Sequence, residues 1–305
     1  MKHILTVTGA IFLLVACSSE SKSPELSPST SVGGFGDYWY QGKAELTGYK
    51  LEQARYGEIH EGTAVTVFVT EDFSERKQVK LDNPGQAGND AVKVLKLNIM
   101  KKFNTGIYDY STMQSVFTPI DRTKYSNTLK VTTSSQEWCG HTFTQLNLEQ
   151  DGYRTKLFSY FESEGDQQKL LPKVWLENEL WNLIRIDPSK LPSGTIEIIP
   201  DLLFQRLKHT ALKSQKAIAK IETTGDESVF VIEYPELNRK LAIRFESDFP
   251  HRINGWEDSY KSGYGSGAQV LTTRATRMKS MMSPYWSQNS VSDVKLRKQL
   301  GLGEN

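Results

Sequence analysis

Strand-period alternation dominates the chain. Val65, Val67 and Val69 alternate with Thr66 and Phe68, and the apolar run 92–99 carries Lys93, Lys96 and Asn98 within it. A period of two puts successive side chains on opposite faces of a strand. Leu129 and Val131 open a Thr-rich stretch ending near Ser134, residues 142–148 alternate again, and Gly152 turns the chain into a strand over 153–161. The clearest hairpin pairs 229–234 with 241–245 across Pro235-Glu236-Leu237-Asn238. There Leu241, Ile243 and Phe245 share one face, and Lys240, Arg244 and Glu246 the other. Strands at short intervals with turn residues between them predict an antiparallel meander rather than βαβ units.

One helix interrupts this pattern. Residues 173–184 follow Pro172, place Leu176, Leu180, Leu183 and Ile184 on one face, and end before Pro188 and Pro192. The segment 198–207 is read as strand. Ser262-Gly263-Tyr264-Gly265-Ser266-Gly267 is a loop, and Ser292 caps a short helix through Leu296 and Leu300 to Gly301. The expected fold class is mainly β: an antiparallel meander or half-open β-barrel with one amphipathic helix.

Composition refines this picture. The 305 residues include 6 Trp, 13 Tyr and 13 Phe, which favours a packed, sheet-rich body over a disordered polymer. A formal charge of +1 gives no footprint for nucleic acid, so none is expected as a partner. Two Cys exclude a disulfide scaffold and a four-Cys zinc site.

The first 17 residues carry an address. Lys2 and His3 precede a mostly apolar run from Ile4, too short to span a bilayer but of signal-peptide length. It ends in Leu14-Val15-Ala16-Cys17, which resembles a bacterial lipobox. That resemblance implies cleavage before Cys17 and a lipid on its sulfur; the alternative is an ordinary signal peptide with an accidental Cys. Cleavage removes Lys2 and leaves basic and acidic residues equal in number, with Cys139 the single thiol besides the lipidated one. Ser18 and Ser19 follow the Cys where an inner-membrane lipoprotein carries Asp, so the expected location is the outer membrane. The division expected is a signal peptide over 1–16, a lipidated flexible tether over 17–37, a β-rich body over 38–262, and a segment 263–305 docked on the body through Met278, Met281, Met282, Tyr285 and Trp286.

Catalytic motifs are absent: no G-x-S-x-G, H-E-x-x-H, Walker A or G-x-G-x-x-G string occurs. The most unusual string is Glu137-Trp138-Cys139-Gly140-His141. On a strand, Cys139, His141 and Glu137 would share a face, and a Cys/His pair can activate a thiolate or ligate zinc or copper. The competing reading makes Cys139 a small buried core residue. Tyr38-Trp39-Tyr40 is read as core and edge packing rather than a carbohydrate platform.

Tyr38-Trp39-Tyr40-Gln41-Gly42-Lys43-Ala44-Glu45, Glu71-Asp72-Phe73-Ser74, the Cys139 string, Glu179-Leu180-Trp181-Asn182, Pro284-Tyr285-Trp286 and Leu296-Arg297-Lys298-Gln299-Leu300-Gly301 resemble a group of uncharacterised bacterial lipoproteins, from Tyr38 to the end. Some members carry the label septum formation inhibitor Maf. Genuine Maf-type nucleotide pyrophosphatases are cytoplasmic α/β proteins with an N-terminal Ser-x-Arg-Arg motif, and this chain has no Arg-Arg pair. The resemblance therefore implies an address and an extent, and no activity. The meander also resembles, in fold only, the half-open β-barrels of periplasmic lipoprotein carriers and receptors. The functional expectation is a non-enzymatic envelope lipoprotein, anchored through Cys17, without cofactor, binding an apolar small molecule or an envelope protein in a concave sheet. The alternative is a metal protein or enzyme built on Cys139, His141 and Glu137.

Overall fold

The structure, a computed structural model, describes residues 34–303. Cys17, the signal peptide and most of the tether lie outside the described residues. The chain is mainly β. Its first half supplies β1 (Ala44–Arg55), β2 (Glu58–Ser74), β3 (Ala91–Thr105), β4 (Tyr108–Pro119), β5 (Lys130–Glu137), β6 (Gly140–Leu148), β7 (Tyr153–Ser159) and β8 (Gln167–Leu171). The second supplies β9 (Trp175–Leu176), β10 (Gly194–Ile199), β11 (Gln215–Thr224), β12 (Glu227–Tyr234), β13 (Arg239–Glu246), β14 (Ile253–Ser262) and β15 (Gln269–Ser283). The helices are α1 (Phe35–Trp39), α2 (Pro84–Ala87), α3 (Glu177–Ile186) and α4 (Leu202–Lys208).

All fifteen strands form one sheet, ordered β8 to β1, then β15 down to β9. Every pairing is antiparallel except β9 with β10. Its two halves are thus two meanders joined where β1 meets β15. The two edges, β8 and β9, are separated in sequence only by residues 172–174. Fifteen strands laid flat would part those edges by about 65 Å at the usual interstrand spacing. The four steps from Leu171 to Trp175 span at most about 14 Å. The sheet therefore curls until its edges approach, giving a barrel-like wall.

Inside the wall sits α3, with all ten of its residues buried. Leu95, Leu97, Ile99 and Phe103 of β3, and Phe230, Ile232, Leu241, Ile243 and Phe245 of the β12–β13 hairpin, pack into the same core as Leu180, Leu183 and Ile184. The hairpin and its inward face are as the alternation predicts. The concavity expected to receive a ligand is occupied by α3 and α4.

Four expectations change. The helix begins at Glu177, not at residue 173: Pro172 lies between strands, and the Leu176 backbone N–H is satisfied by the Glu179 carboxylate at 3.1 Å. The segment 198–207 is strand only to Ile199; Asp201 then caps α4 by accepting the Phe204 N–H at 2.7 Å. The tether stops short of residue 37, because Phe35 is buried and opens α1. The boundary at 262 falls inside the sheet: Met278, Met281 and Met282 belong to β15, which pairs with both β1 and β14. Only the stretch beyond β15 docks as a tail.

Candidate functional site

The outer face of the sheet carries a second apolar layer. Val65, Val67 and Val69 point outward from β2, while Ala64 and Phe68 face the core. Strands covered on both faces read as near-continuous apolar runs, and β2 is one. Leu46 of β1, Met100 of β3, and Met278 and Met281 of β15 complete the patch.

The tail lies across this patch. A 3-10 segment, Val291–Leu300, starts at Ser290, whose N–H donates to the Asp293 carboxylate at 3.0 Å. It ends at Gly301 in the left-handed region, φ 75°. Leu300 and Leu302 then bury themselves against Leu46 and Val67. Close approach requires Gly48: a Cβ there would lie 2.0 Å from the Leu300 carbonyl oxygen. Ser292 was the expected cap; the cap is Ser290, two residues earlier.

Between tail and sheet remains an open cleft of about 380 Å³. Leu46, Val65, Val67, Met100, Met281 and Leu296 supply its apolar lining, with Lys102, Asp293 and Arg297 also on it. The volume lies within the range of small-molecule sites and is about two and a half times that of a cavity that holds benzene. Sequence reading missed this cleft. The available signal was the outward valine run of β2, whose neighbour Phe68 already claimed the opposite face.

The Cys139 string lies elsewhere. Trp138 and Cys139 form the turn of the β5–β6 hairpin, with Glu137 paired to Gly140. Cys139 is exposed, which corrects the buried-core reading. Its N–H donates to the Glu137 carboxylate at 2.7 Å, and hydrogen bonding of the thiol to that same carboxylate raises the thiol pKa. A raised pKa disfavours the thiolate that a nucleophile or metal ligand needs. His141 is exposed on β6. Among the described residues, no group of three His, Cys, Asp or Glu side chains is placed to hold a metal ion. No described helix is long and apolar enough to cross a membrane.

The charged groups around α3 hold structure together. Arg185 grips Glu45 of β1 through two bonds of 2.5 and 2.6 Å, and the Tyr38 hydroxyl donates to the same carboxylate. Burial, the largest influence on Glu45, would raise its carboxyl; Arg185 outweighs it and holds the carboxyl below its ordinary value. On the other side, Arg239 of β13 grips Glu177 at 2.6 and 2.7 Å and also bonds Asp258 at 2.8 and 3.0 Å. The carboxylate pair Glu177 and Glu179 diverges: Glu179 accepts from the Thr128 N–H and hydroxyl instead. Burial pushes both of these carboxyls up.

No family model and no curated protein matches the chain. Among solved structures, a β-barrel-like protein of a domain of unknown function, DUF1849, from Brucella abortus aligns over 79% of this chain and 98% of its own, at 9% identity and a TM-score of 0.44. A porin-like protein from Bacteroides uniformis aligns over 78% and 95%, at 10% identity and a TM-score of 0.21. Both likenesses are too loose to carry an argument about this chain.

Proposed function

We propose that this chain is a non-enzymatic binding protein of the cell envelope, held at the outer membrane by lipid on Cys17, whose body takes an acyl chain with an anionic head. The observation that carries the binding reading is the open apolar cleft of about 380 Å³ beneath the tail. Each buried methylene contributes about 0.8 kcal/mol, so a chain of several carbons gains enough there to bind. Lys102 on the lining can meet a negatively charged head. The lipobox, and Ser18 after it, support the anchor and the membrane.

The binding test is titration with a dansyl-labelled fatty acid, displaced by palmitate. Met100→Trp fills the cleft from a half-buried position. Loss of binding with little change in Tm is expected; undiminished binding by this variant defeats the reading. The anchor has its own test: Cys17→Ser should stop incorporation of labelled palmitate and release the protein from the membrane fraction. Palmitate still entering the Ser variant would sink that part alone.

A further inference from the structure

Among the described residues four arginines are buried: Arg55, Arg185, Arg206 and Arg239. Three of them meet a carboxylate. Arg185 takes Glu45, Arg206 takes Glu164, and Arg239 takes Glu177 and Asp258. Arg55, the last residue of β1, has only neutral partners among the described residues. It donates through Nη1 to the Leu207 carbonyl, and through Nη2 to the Tyr56 and Tyr110 hydroxyls, each at 3.2 Å. The Tyr56 ring lies against the guanidinium, 4.2 Å away at its centroid. Arg55 is only 7% exposed, and its Nε is buried with no acceptor. Buried charges are ordinarily paired, because an unpaired one gives up its hydration for nothing in return.

A small cavity opens at this residue, where the β1–β2 turn, the C-terminal end of α4 and the β14–β15 loop converge. Arg55, Tyr56, Lys208, Ser262 and Tyr264 are on its lining, and no lining residue is acidic. Lys208 brings a second positive charge, and its Nζ donates to the Lys261 carbonyl at 2.6 Å. Burial first, then the charges of Arg55 and Lys261, lower the Lys208 pKa. The C-terminal end of α4 offsets at most about half a charge, against two cations on the lining. The Ser262 hydroxyl accepts the Gly57 N–H at 3.1 Å, which leaves its own proton to donate. Tyr56 and Tyr264 are exposed, with ring centroids 6.4 Å apart. The cavity holds about 20 Å³, on a scale where one water needs about 10–15 Å³. It admits the tip of a ligand, whose remainder lies outward by the two rings.

We propose that this cavity receives the phosphoryl end of a phosphomonoester, held by Arg55, Lys208 and the Ser262 hydroxyl. A phosphomonoester carries a charge of about −1.5 to −2 at neutral pH and presents three acceptor oxygens. Two lining cations match that charge, whereas a carboxylate would leave one of them unpaired. The same oxygens give the Arg55 Nε–H its missing acceptor, in a charge-assisted bond of the strong kind. A neutral ligand, or water alone, satisfies the Nε–H but not the charge. The site shares no lining residue with the cleft beneath the tail, so it stands or fails independently of acyl-chain binding.

The test uses the full chain carrying Cys17→Ser, so that no lipid anchor contributes, in a buffer free of phosphate. Phenyl phosphate and glycerol 3-phosphate are titrated by calorimetry, with benzoate as the singly charged control. Both phosphomonoesters should bind saturably, and more tightly than benzoate. Lys208→Gln should weaken them at least about tenfold, the worth of one hydrogen bond to a charged group, with little change in Tm. Arg55→Lys keeps the charge but loses the Nε–H, and should weaken them as well. Lys50→Gln removes a positive charge from the outer face of the same strand and should not. Vesicles of phosphatidylcholine with and without phosphatidate then identify the source. Retention by phosphatidate alone assigns a lipid head group, and no retention assigns a soluble ester; either upholds the site once the soluble probes bind. No saturable binding of either phosphomonoester, equal binding by Lys208→Gln, or benzoate binding as tightly as phenyl phosphate would overturn the proposal.

Discussion

Helix α3 and the 3-10 segment Val291–Leu300 are ten residues each, and the chain uses them in opposite ways. Every residue of α3 is buried, while the tail segment buries only Leu300. The polar groups of α3 reach both meanders: Arg185 to β1, Asn182 to the Leu95 carbonyl at 3.0 Å and Thr118 Oγ1 at 2.9 Å, Glu177 to β13. Such buried pairs add little net stability over apolar packing, but leaving one member unpaired is costly, so they fix where the helix sits. The tail makes apolar contact with the sheet and one close backbone approach to it. It rests on Leu300, Leu302 and the space at Gly48, in a helix type that seldom persists beyond a few residues. The comparison separates a fixed plug from a removable cover. On the proposed reading, a ligand enters under the cover without disturbing the plug.

Two truncations break the comparison most sharply. Ending the chain after Gly267 deletes β15, the strand that joins the meanders through β1 and β14. That protein is expected to be insoluble or unfolded by circular dichroism. Ending it after Ser290 deletes only the cover. Burial of two leucines is worth about 1.5–3 kcal/mol each at most, so this protein should stay folded with a lowered Tm and no fatty-acid binding. A folded protein lacking β15 would contradict the topology.

Next in size is the clamp on α3. Arg239→Met leaves the buried Glu177 and the partly buried Asp258 without their guanidinium. The expected loss is about 3–5 kcal/mol by urea unfolding. Pairing it with Glu177→Gln should recover part of that loss, since the stranded charge goes. Equal or greater loss in the double variant would show that the pair itself, rather than the uncompensated charge, carries the energy.

Acid probes the other clamp. Glu45 has a folded pKa below its unfolded value, so its contribution is present above about pH 4.3 and disappears as pH falls through the folded value. Glu177 and Glu179 are raised and run the other way, losing their contribution as pH rises through their folded values. Tm measured from about pH 6 down to about pH 3 should therefore fall less steeply in Glu45→Gln than in the parent, although the variant starts lower at neutral pH. Parallel curves would remove Glu45 from the acid response.

The plug and the cover also differ in how far the sequence shows them. Alternation reveals the β12–β13 hairpin, because one of its faces is core and a strand has a period of two, while β2 shows as a near-continuous apolar run because both its faces are covered. The body of α3 shows through its leucine spacing, but its start does not: the cap residue is Leu176, and the reciprocal bond comes from Glu179 three residues on. Asp201 could have marked α4, had Pro200 and the following Leu-Leu-Phe run not read as strand. β15 hides because Arg274, Arg277 and Lys279 interrupt it, and those charges lie on a partly exposed strand. The cleft and the cavity at Arg55 depend on which segments become neighbours, which single-strand patterns do not encode.

The smallest expected effect concerns Cys139, on neither plug nor cover. The sequence placed it beside His141 on a strand; the structure puts it in an exposed hairpin turn against the Glu137 carboxylate. Exposure favours reaction with thiol reagents, while the hydrogen bond to Glu137 holds the thiol protonated and opposes it. Labelling of the native protein at neutral pH should be severalfold slower than in urea, where that contact is lost. Glu137→Gln should speed native labelling, because the carboxylate's charge is removed, and should leave Tm unchanged. His141→Ala should change neither rate nor Tm. A native rate that drops sharply in His141→Ala would mean the imidazole activates the thiol, and the Cys139–His141 pair would then displace the apolar cleft as the site to pursue.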